Sequence, residues 1–91
     1  MNKPQIISDT NFKSLKIKKK IIKILSKEKI KKPHVVIVIG GDGFMLQTLK
    51  KYKKQNKIFY GVNSGNYGFL MNKYLRNIFL RNIKTSKMTI I

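Results

Sequence analysis

The chain has 91 residues, enough for one small domain, and it has no cysteine, which excludes a disulfide framework and a thiolate metal site. Its formal net charge is +18, from 21 lysine and arginine residues against three acidic ones. The sequence has neither an apolar run long enough to span a membrane nor the apolar core of a secretory signal, so it predicts a cytoplasmic protein without a membrane partner.

The strong positive charge raises the question of nucleic-acid binding, because basic patches bind phosphate backbones. Nearly all of the basic residues are lysines, and Arg76 and Arg81 are the only arginines. Arginine is the residue that suits bidentate contacts to phosphates and bases. The lysine excess also accompanies an excess of isoleucine and asparagine, as in an AT-rich genome. We therefore interpret the lysines as solvated surface and predict no nucleic-acid partner.

The first part of the chain predicts a strand followed by an amphipathic helix. Residues 5–8 form a short β-prone segment, and from residue 11 to about residue 27 four apolar side chains share one helical face. They are Ile17, Ile21, Ile24 and Leu25, with Lys19, Lys20, Lys23 and Lys27 on the opposite face. This pattern favours a helix packed on a sheet. A basic helix lying on a membrane surface is the alternative.

A run of β-branched residues indicates the centre of the sheet. Residues 34–39 are apolar without alternation after His34, so a strand here is buried on both faces, as in a parallel sheet. A glycine turn follows at residues 40–43, then a helix to about residue 54 and a second buried strand at residues 58–62. These segments predict a βαβ unit with a right-handed crossover. A further helix is predicted over residues 74–83, and residues 88–91 resemble the start of a strand.

The glycine turn is a candidate phosphate-binding loop because it joins a buried strand to the first turn of a helix. It contains no Walker A motif, and Leu46 occupies the third glycine position of the dinucleotide fingerprint. Asp42 lies within this turn. One interpretation is that Asp42 merely caps the helix N-terminus. The other is that it holds and deprotonates an attacking hydroxyl, as catalytic aspartates do in phosphoryl transfer.

A second glycine-rich loop, residues 61–70, follows the next strand. In a parallel sheet this loop begins at the same edge as the first, so the two loops together predict a cleft. Within it, Phe69 is either a core aromatic or a side chain that stacks on a base. His34 lies at the opposite edge and is predicted to be structural or exposed, and Met45, Met71 and Met88 are predicted to fill the core.

The two loops together resemble the NAD kinases. Those enzymes carry a Gly-Gly-Asp-Gly loop, as at residues 40–43, and one strand later a segment similar to Gly-Val-Asn-Ser-Gly-Asn-Tyr-Gly-Phe-Leu at residues 61–70. The match is firm over residues 34–75, and residues 43–49 with residues 71–72 are similar to the alphaproteobacterial branch. The first loop also occurs in diacylglycerol and sphingosine kinases. The second loop is therefore the one that indicates an NAD kinase.

The resemblance implies a site and a reaction. Asp42 matches the group that accepts the proton of the adenosine-ribose 2′-hydroxyl of NAD, with NADP as the product. Gly41, Gly43, Asn63 and Phe69 match the NAD-binding positions, and no metal ligand is assigned among the protein residues. Family members use ATP, or polyphosphate in some cases, with a divalent metal such as Mg²⁺. They assemble as dimers or tetramers.

The resemblance further implies a three-layer, Rossmann-like α/β fold with a parallel sheet. Residues 1–87 correspond to the N-terminal domain of an NAD kinase, and residues 88–91 to the start of a β-rich C-terminal domain. That domain and the family's downstream Asn-Glu or Asn-Asp pair are absent from the chain. An isolated fragment is therefore expected to be inactive or nearly so. A lipid kinase of the same superfamily and a basic nucleic-acid-binding fragment remain the alternatives.

Overall fold

A computed structural model describes residues 3–65, 72–73 and 76–85 of the chain. In chain order, the elements are β1 (Gln5–Ser8), α1 (Phe12–Lys27), β2 (Val35–Gly40), α2 (Asp42–Tyr52), β3 (Ile58–Asn63), β4 (Asn72–Lys73) and α3 (Arg76–Thr85). The strands pair in the order β1-β2-β3-β4, and every pairing is parallel. The predicted elements are confirmed, except that β4 was not predicted and residues 88–91 lie outside the described residues.

Helices cover both faces of the sheet, so the predicted three-layer architecture is confirmed. All six residues of β2 are buried, as the uninterrupted β-branched run predicted. Val35, Ile37 and Ile39 point to one face, where they pack with apolar residues of α1 and α3. Val36 and Val38 point to the other face and pack with α2, mainly through Met45. Alternation along a single strand therefore builds two cores.

The positions of α1 and α2 fix a relation between the two crossovers. The strands β1, β2 and β3 follow one another in one direction across the sheet, whereas α1 and α2 lie on opposite faces. Two successive crossovers in one direction share a hand only when their helices share a face. The β1-α1-β2 and β2-α2-β3 units therefore have opposite hands. A right-handed crossover for the second unit stays a prediction.

The helix α1 confirms the predicted division into a buried and a solvated face. Its buried residues include Ile21, Ile24 and Leu25, and the four lysines predicted on the opposite face are exposed. Part of its outer surface is also apolar, because Phe12 is 80% exposed. Among the described residues, no helix is long and apolar enough to cross a membrane.

The C-terminal end of α1 is closed by a left-handed residue that is not glycine. The Lys29 backbone has φ of 52°. The Ile30 N–H donates to the Leu25 carbonyl at 3.1 Å, and the Lys29 N–H donates to the Ser26 carbonyl at 3.3 Å. These are the two hydrogen bonds of a Schellman motif, in which glycine usually occupies the left-handed position. The buried side chain of Ile30 then turns the chain back toward the core.

The helix α3 is held against the sheet by aromatic and polar contacts. Phe79 packs edge-on against Tyr60 of β3, with ring centroids 5.7 Å apart. The Asn82 side-chain amide donates to the Tyr60 hydroxyl at 3.1 Å. Burial raises the pKa of Tyr60, and the hydrogen bond from Asn82 opposes that rise. At its end, α3 contacts α1 through an ion pair between Lys84 and Glu28, 2.6 Å long.

Candidate functional site

The first glycine loop and the described start of the second, residues 61–65, lie together at the carboxyl edge of the sheet, as predicted. Gly40, the last residue of β2, is in register with Asn63, the last residue of β3. The Ser64 N–H donates to the Gly40 carbonyl at 3.0 Å and so ties the start of the second loop to the first. The strand β4 pairs with Val62 and Asn63, so the chain returns to this same edge. The parallel register therefore brings together two loops that are about twenty residues apart in sequence.

The glycines of the first loop have different surroundings. A Cβ atom on Gly40 would lie 2.8 Å from Cδ2 of Phe44 and 3.1 Å from its Cβ and Cγ. A Cβ atom on Gly41 or Gly43 would meet nothing within 4 Å. Gly40 is therefore required by packing inside the domain. Gly41 and Gly43 leave open space beside the first turn of α2.

The structure places Asp42 in the first turn of α2 and not at the N-cap. Gly41 is the N-cap residue, and the Met45 N–H donates to its carbonyl at 3.0 Å. The interpretation of Asp42 as the helix cap is therefore wrong, although an acid in the first turn still interacts favourably with the helix dipole. Asp42 is half-buried at the edge where the two loops meet. This position is compatible with a role toward a ligand bound at this edge.

The second loop begins with a set of hydrogen bonds. Asn63 is buried, and its Oδ1 accepts a hydrogen bond from the Gly65 N–H at 2.7 Å. The next residue, Ser64, is half-buried, and its Oγ lies 2.7 Å from the Oγ of Ser14 in α1. Ser14 is fully buried. The sequence did not indicate this serine pair, because Ser14 lies outside both glycine loops and the resemblance assigns no role to Ser64.

A second carboxylate, Asp9, also lies at this edge and was not singled out as a site residue. The Asp9 N–H donates to the Ile39 carbonyl at 2.8 Å, directly beyond the paired part of β1. Its Oδ1 accepts from the Thr10 N–H at 2.7 Å. The N-cap of α1 is Asn11, whose Oδ1 accepts from the Ser14 N–H at 2.8 Å. Asp9 therefore stabilises the turn between β1 and α1.

The remaining sequence-based assignments can be located in part. His34 lies in the turn before β2, at the edge opposite the loops, and is exposed as predicted. Met45 is a fully buried core residue, which confirms its assignment as core filler, whereas Met71 and Met88 lie outside the described residues. Phe69 lies outside the described residues, so its stacking on an adenine stays a prediction. Among residues 3–65, 72–73 and 76–85, no group of three or more acidic or histidine side chains is placed to hold a metal ion.

The fold and the paired loops first define a class. This is a three-layer α/β domain with a parallel sheet, whose carboxyl edge carries two neighbouring glycine loops and an aspartate at a helix start.

Within that class, the chain is similar over all of its 91 residues to curated proteins named NAD kinase. It is 43% identical to the NAD kinase of Rickettsia peacockii (strain Rustic) and 42% identical to those of Rickettsia rickettsii (strain Sheila Smith) and Rickettsia conorii. The chain spans 36% of the length of each of these relatives. No family model matches the chain. No solved structure matches it significantly. The resemblance to NAD kinases that the two loops indicated is confirmed.

Proposed function

We propose that this chain is the N-terminal part of an NAD kinase, and that the longer enzyme transfers the γ-phosphoryl group of ATP to the 2′-hydroxyl of the adenosine ribose of NAD. The observation that carries the proposal is the meeting of the two loops at one sheet edge, with Gly40 in register with Asn63. The similarity of the whole chain to proteins named NAD kinase supports NAD as the phosphoryl acceptor. It favours NAD over the lipid acceptors of other kinases with the Gly-Gly-Asp-Gly loop.

The open space at Gly41 and Gly43 supports a close approach of the dinucleotide to the backbone of this loop. Neither glycine is required by packing among the described residues, and Gly43, which lies within α2, costs stability relative to alanine. A glycine retained there is consistent with a ligand that occupies the space of a side chain. Asn63 and Phe69 complete the proposed NAD site from the second loop.

In the proposed reaction, Asp42 orients the ribose 2′-hydroxyl and accepts its proton as the oxygen attacks the γ-phosphorus of ATP. A bond forms between the 2′-oxygen and phosphorus, the bond from phosphorus to the β,γ-bridging oxygen breaks, and ADP leaves. Asp42 then carries the proton until it is released to solvent. This domain thus orients the ribose 2′-hydroxyl and accepts its proton. The other groups of the site are expected to come from the part of the relatives that this chain does not match.

ATP with a divalent metal such as Mg²⁺ belongs to the same proposal. Mg²⁺ is commonly held by one or two carboxylates together with substrate phosphates and water, so it needs no cage of protein ligands. Asp42 and Asp9 are the described carboxylates at this edge that fit such a role. When bound with ATP, Mg²⁺ supplies charge neutralisation for the transferred phosphoryl group. A cytoplasmic homo-oligomer is the form that the family resemblance implies for the longer enzyme.

A chimaera tests the proposal, with this chain replacing the matched part of the Rickettsia rickettsii NAD kinase. We expect it to form NADP from NAD and ATP, and the substitution Asp42→Asn to lower kcat by about a hundredfold or more while NAD still binds. The matched control is Glu28→Gln, which neutralises a carboxylate at the end of α1, away from the loops, and should retain turnover. An Asp42→Asn chimaera with full activity contradicts the assigned role. Phosphorylation of diacylglycerol in place of NAD supports the lipid-kinase alternative.

A further inference from the structure

The contact between Ser14 and Ser64 joins the first turn of α1 to the start of the second glycine loop, 50 residues away in sequence. The two Oγ atoms are 2.7 Å apart, so one hydroxyl donates to the other. Ser64 also donates its backbone N–H to Gly40, and its neighbour Asn63 accepts from Gly65. Ser64 is therefore fixed at both its backbone and its side chain, at the start of the second loop and beside the first.

Burial decides the direction of the hydrogen bond between the serines. Ser14 is 0% exposed, and the Ser64 Oγ is the one acceptor that its hydroxyl meets among the described residues. If Ser14 only accepted, its own hydroxyl hydrogen would be buried without an acceptor, which costs free energy. Ser14 therefore donates to Ser64. The hydroxyl hydrogen of the half-buried Ser64 is then not used in the contact with Ser14.

We propose that Ser64 is a substrate-binding residue whose hydroxyl donates a hydrogen bond to an oxygen of NAD, and that Ser14 positions it. The proposal rests on the proposed NAD kinase function, because it takes NAD as the ligand of this edge. The resemblance matches Gly41, Gly43, Asn63 and Phe69 to NAD-binding positions and assigns no role to Ser64. A hydroxyl that is already held by its neighbour loses little conformational freedom when it binds, which favours affinity.

The test is a titration of NAD into the 91-residue chain, followed by NMR through the backbone amide signals of the loops. We expect Ser64→Ala to weaken NAD binding about three- to tenfold, the usual effect of losing one hydrogen bond. Ser64→Thr keeps the hydroxyl and should restore most of the affinity. Ser64→Cys is a near-isosteric second variant with a weak donor, and it serves if the alanine variant fails to fold. The control is Ser26→Ala, an exposed serine of α1 away from the loops, which should leave the affinity unchanged.

A double-variant cycle tests the positioning role of Ser14. Because Ser14 acts through Ser64, Ser14→Ala should weaken NAD binding in the parent chain and have no further effect when Ser64 is already alanine. Independent, additive effects would overturn the positioning role.

Adenosine and ADP-ribose as alternative ligands identify the acceptor. An equal effect of Ser64→Ala on adenosine indicates a ribose oxygen, and an effect confined to ADP-ribose and NAD indicates the pyrophosphate.

The outcomes separate this inference from the proposed function. Equal NAD affinity of the parent chain and Ser64→Ala overturns the role of Ser64 and leaves the kinase proposal standing. If the 91-residue chain binds NAD too weakly to measure, the KM for NAD of the chimaera replaces the titration. A three- to tenfold rise in KM at unchanged kcat then supports the inference, and an unchanged KM overturns it. A chimaera that neither binds NAD nor forms NADP overturns both.

Discussion

The three glycines of the Gly-Gly-Asp-Gly loop should respond to alanine in different ways. A Cβ atom on Gly40 would lie 2.8 to 3.1 Å from three side-chain atoms of Phe44, well inside the usual carbon–carbon separation of about 3.5–4.0 Å. Rotation of the ring can relieve the contact with Cδ2, but the Phe44 Cβ is fixed by the backbone of α2. We therefore expect Gly40→Ala to destabilise the domain by about 1–3 kcal/mol, as overpacked core substitutions do.

The neighbouring glycines provide matched controls. Gly43→Ala adds a methyl group within α2 in open space, so it should stabilise folding by about 0.5–1 kcal/mol. Gly41→Ala should be nearly neutral, because alanine is a poorer N-cap than glycine but orders the unfolded chain more. If the kinase proposal is correct, both substitutions should weaken NAD binding without lowering stability, since their methyl groups enter the proposed ligand space.

Urea and thermal unfolding of the 91-residue chain, monitored by circular dichroism, measure the series. A loss of 1–3 kcal/mol corresponds to a fall in Tm of about 5 to 20 °C for a domain of this size. In a double-variant cycle, Phe44→Ala should remove most of the additional cost of Gly40→Ala, because the overlapping atoms are gone. A Gly40→Ala chain as stable as the parent, or a cost that persists in the Phe44→Ala background, refutes the steric reasoning.

Two further predictions concern the end of α1. Lys29→Gly should raise the free energy of unfolding by about 0.5–1 kcal/mol, because glycine adopts the left-handed φ of 52° without strain. Lys29→Ala keeps the Cβ atom and should give no such gain. Urea unfolding measures both variants, and an equal gain from the two would argue against backbone strain. The hydrogen bond and the charge of Lys84 lower the pKa of Glu28 from its ordinary value of 4.5. Because Glu28 is the only glutamate in the chain, its carboxyl signal can be followed in an NMR titration. The pKa read from that signal should rise in Lys84→Met. Because the folded-state pKa is depressed, the stabilisation from the ion pair should be present in full above about pH 4.5 and should disappear as the pH falls through the folded-state pKa. A difference in stability between the parent and Lys84→Met that persists at lower pH would contradict this assignment.

Much of the architecture could be predicted because it follows from local patterns. The β-branched run of residues 35–39 has no alternation, and only a strand buried on both faces satisfies it. Helical spacing located α1, and the glycine turn located the junction between β2 and α2. The strand β4 escaped prediction because two residues carry no periodicity, and their strand character arises only from pairing with β3.

The candidate site could be predicted only in part. The order of strands and loops placed both glycine loops at one edge, because parallel strands all end there. The sequence could not show that Gly40 is a packing glycine while Gly41 and Gly43 are not, because this difference depends on where the Phe44 ring lies. It also could not show that Gly41, rather than Asp42, is the residue that caps α2.

The sequence by itself determined β1 to β3, the three helices, their order and the chemical content of the two loops, because strand burial, helix periodicity and glycine turns are encoded in neighbouring residues. Only the tertiary structure decided which distant groups meet. It placed Ser14 against Ser64, Tyr60 against Phe79, and α1 and α2 on opposite faces of the sheet. Such contacts depend on packing between elements that are far apart in the chain. The Gly-Gly-Asp-Gly loop can therefore be recognised from the sequence, whereas the side chains that surround it are identified only from the tertiary structure.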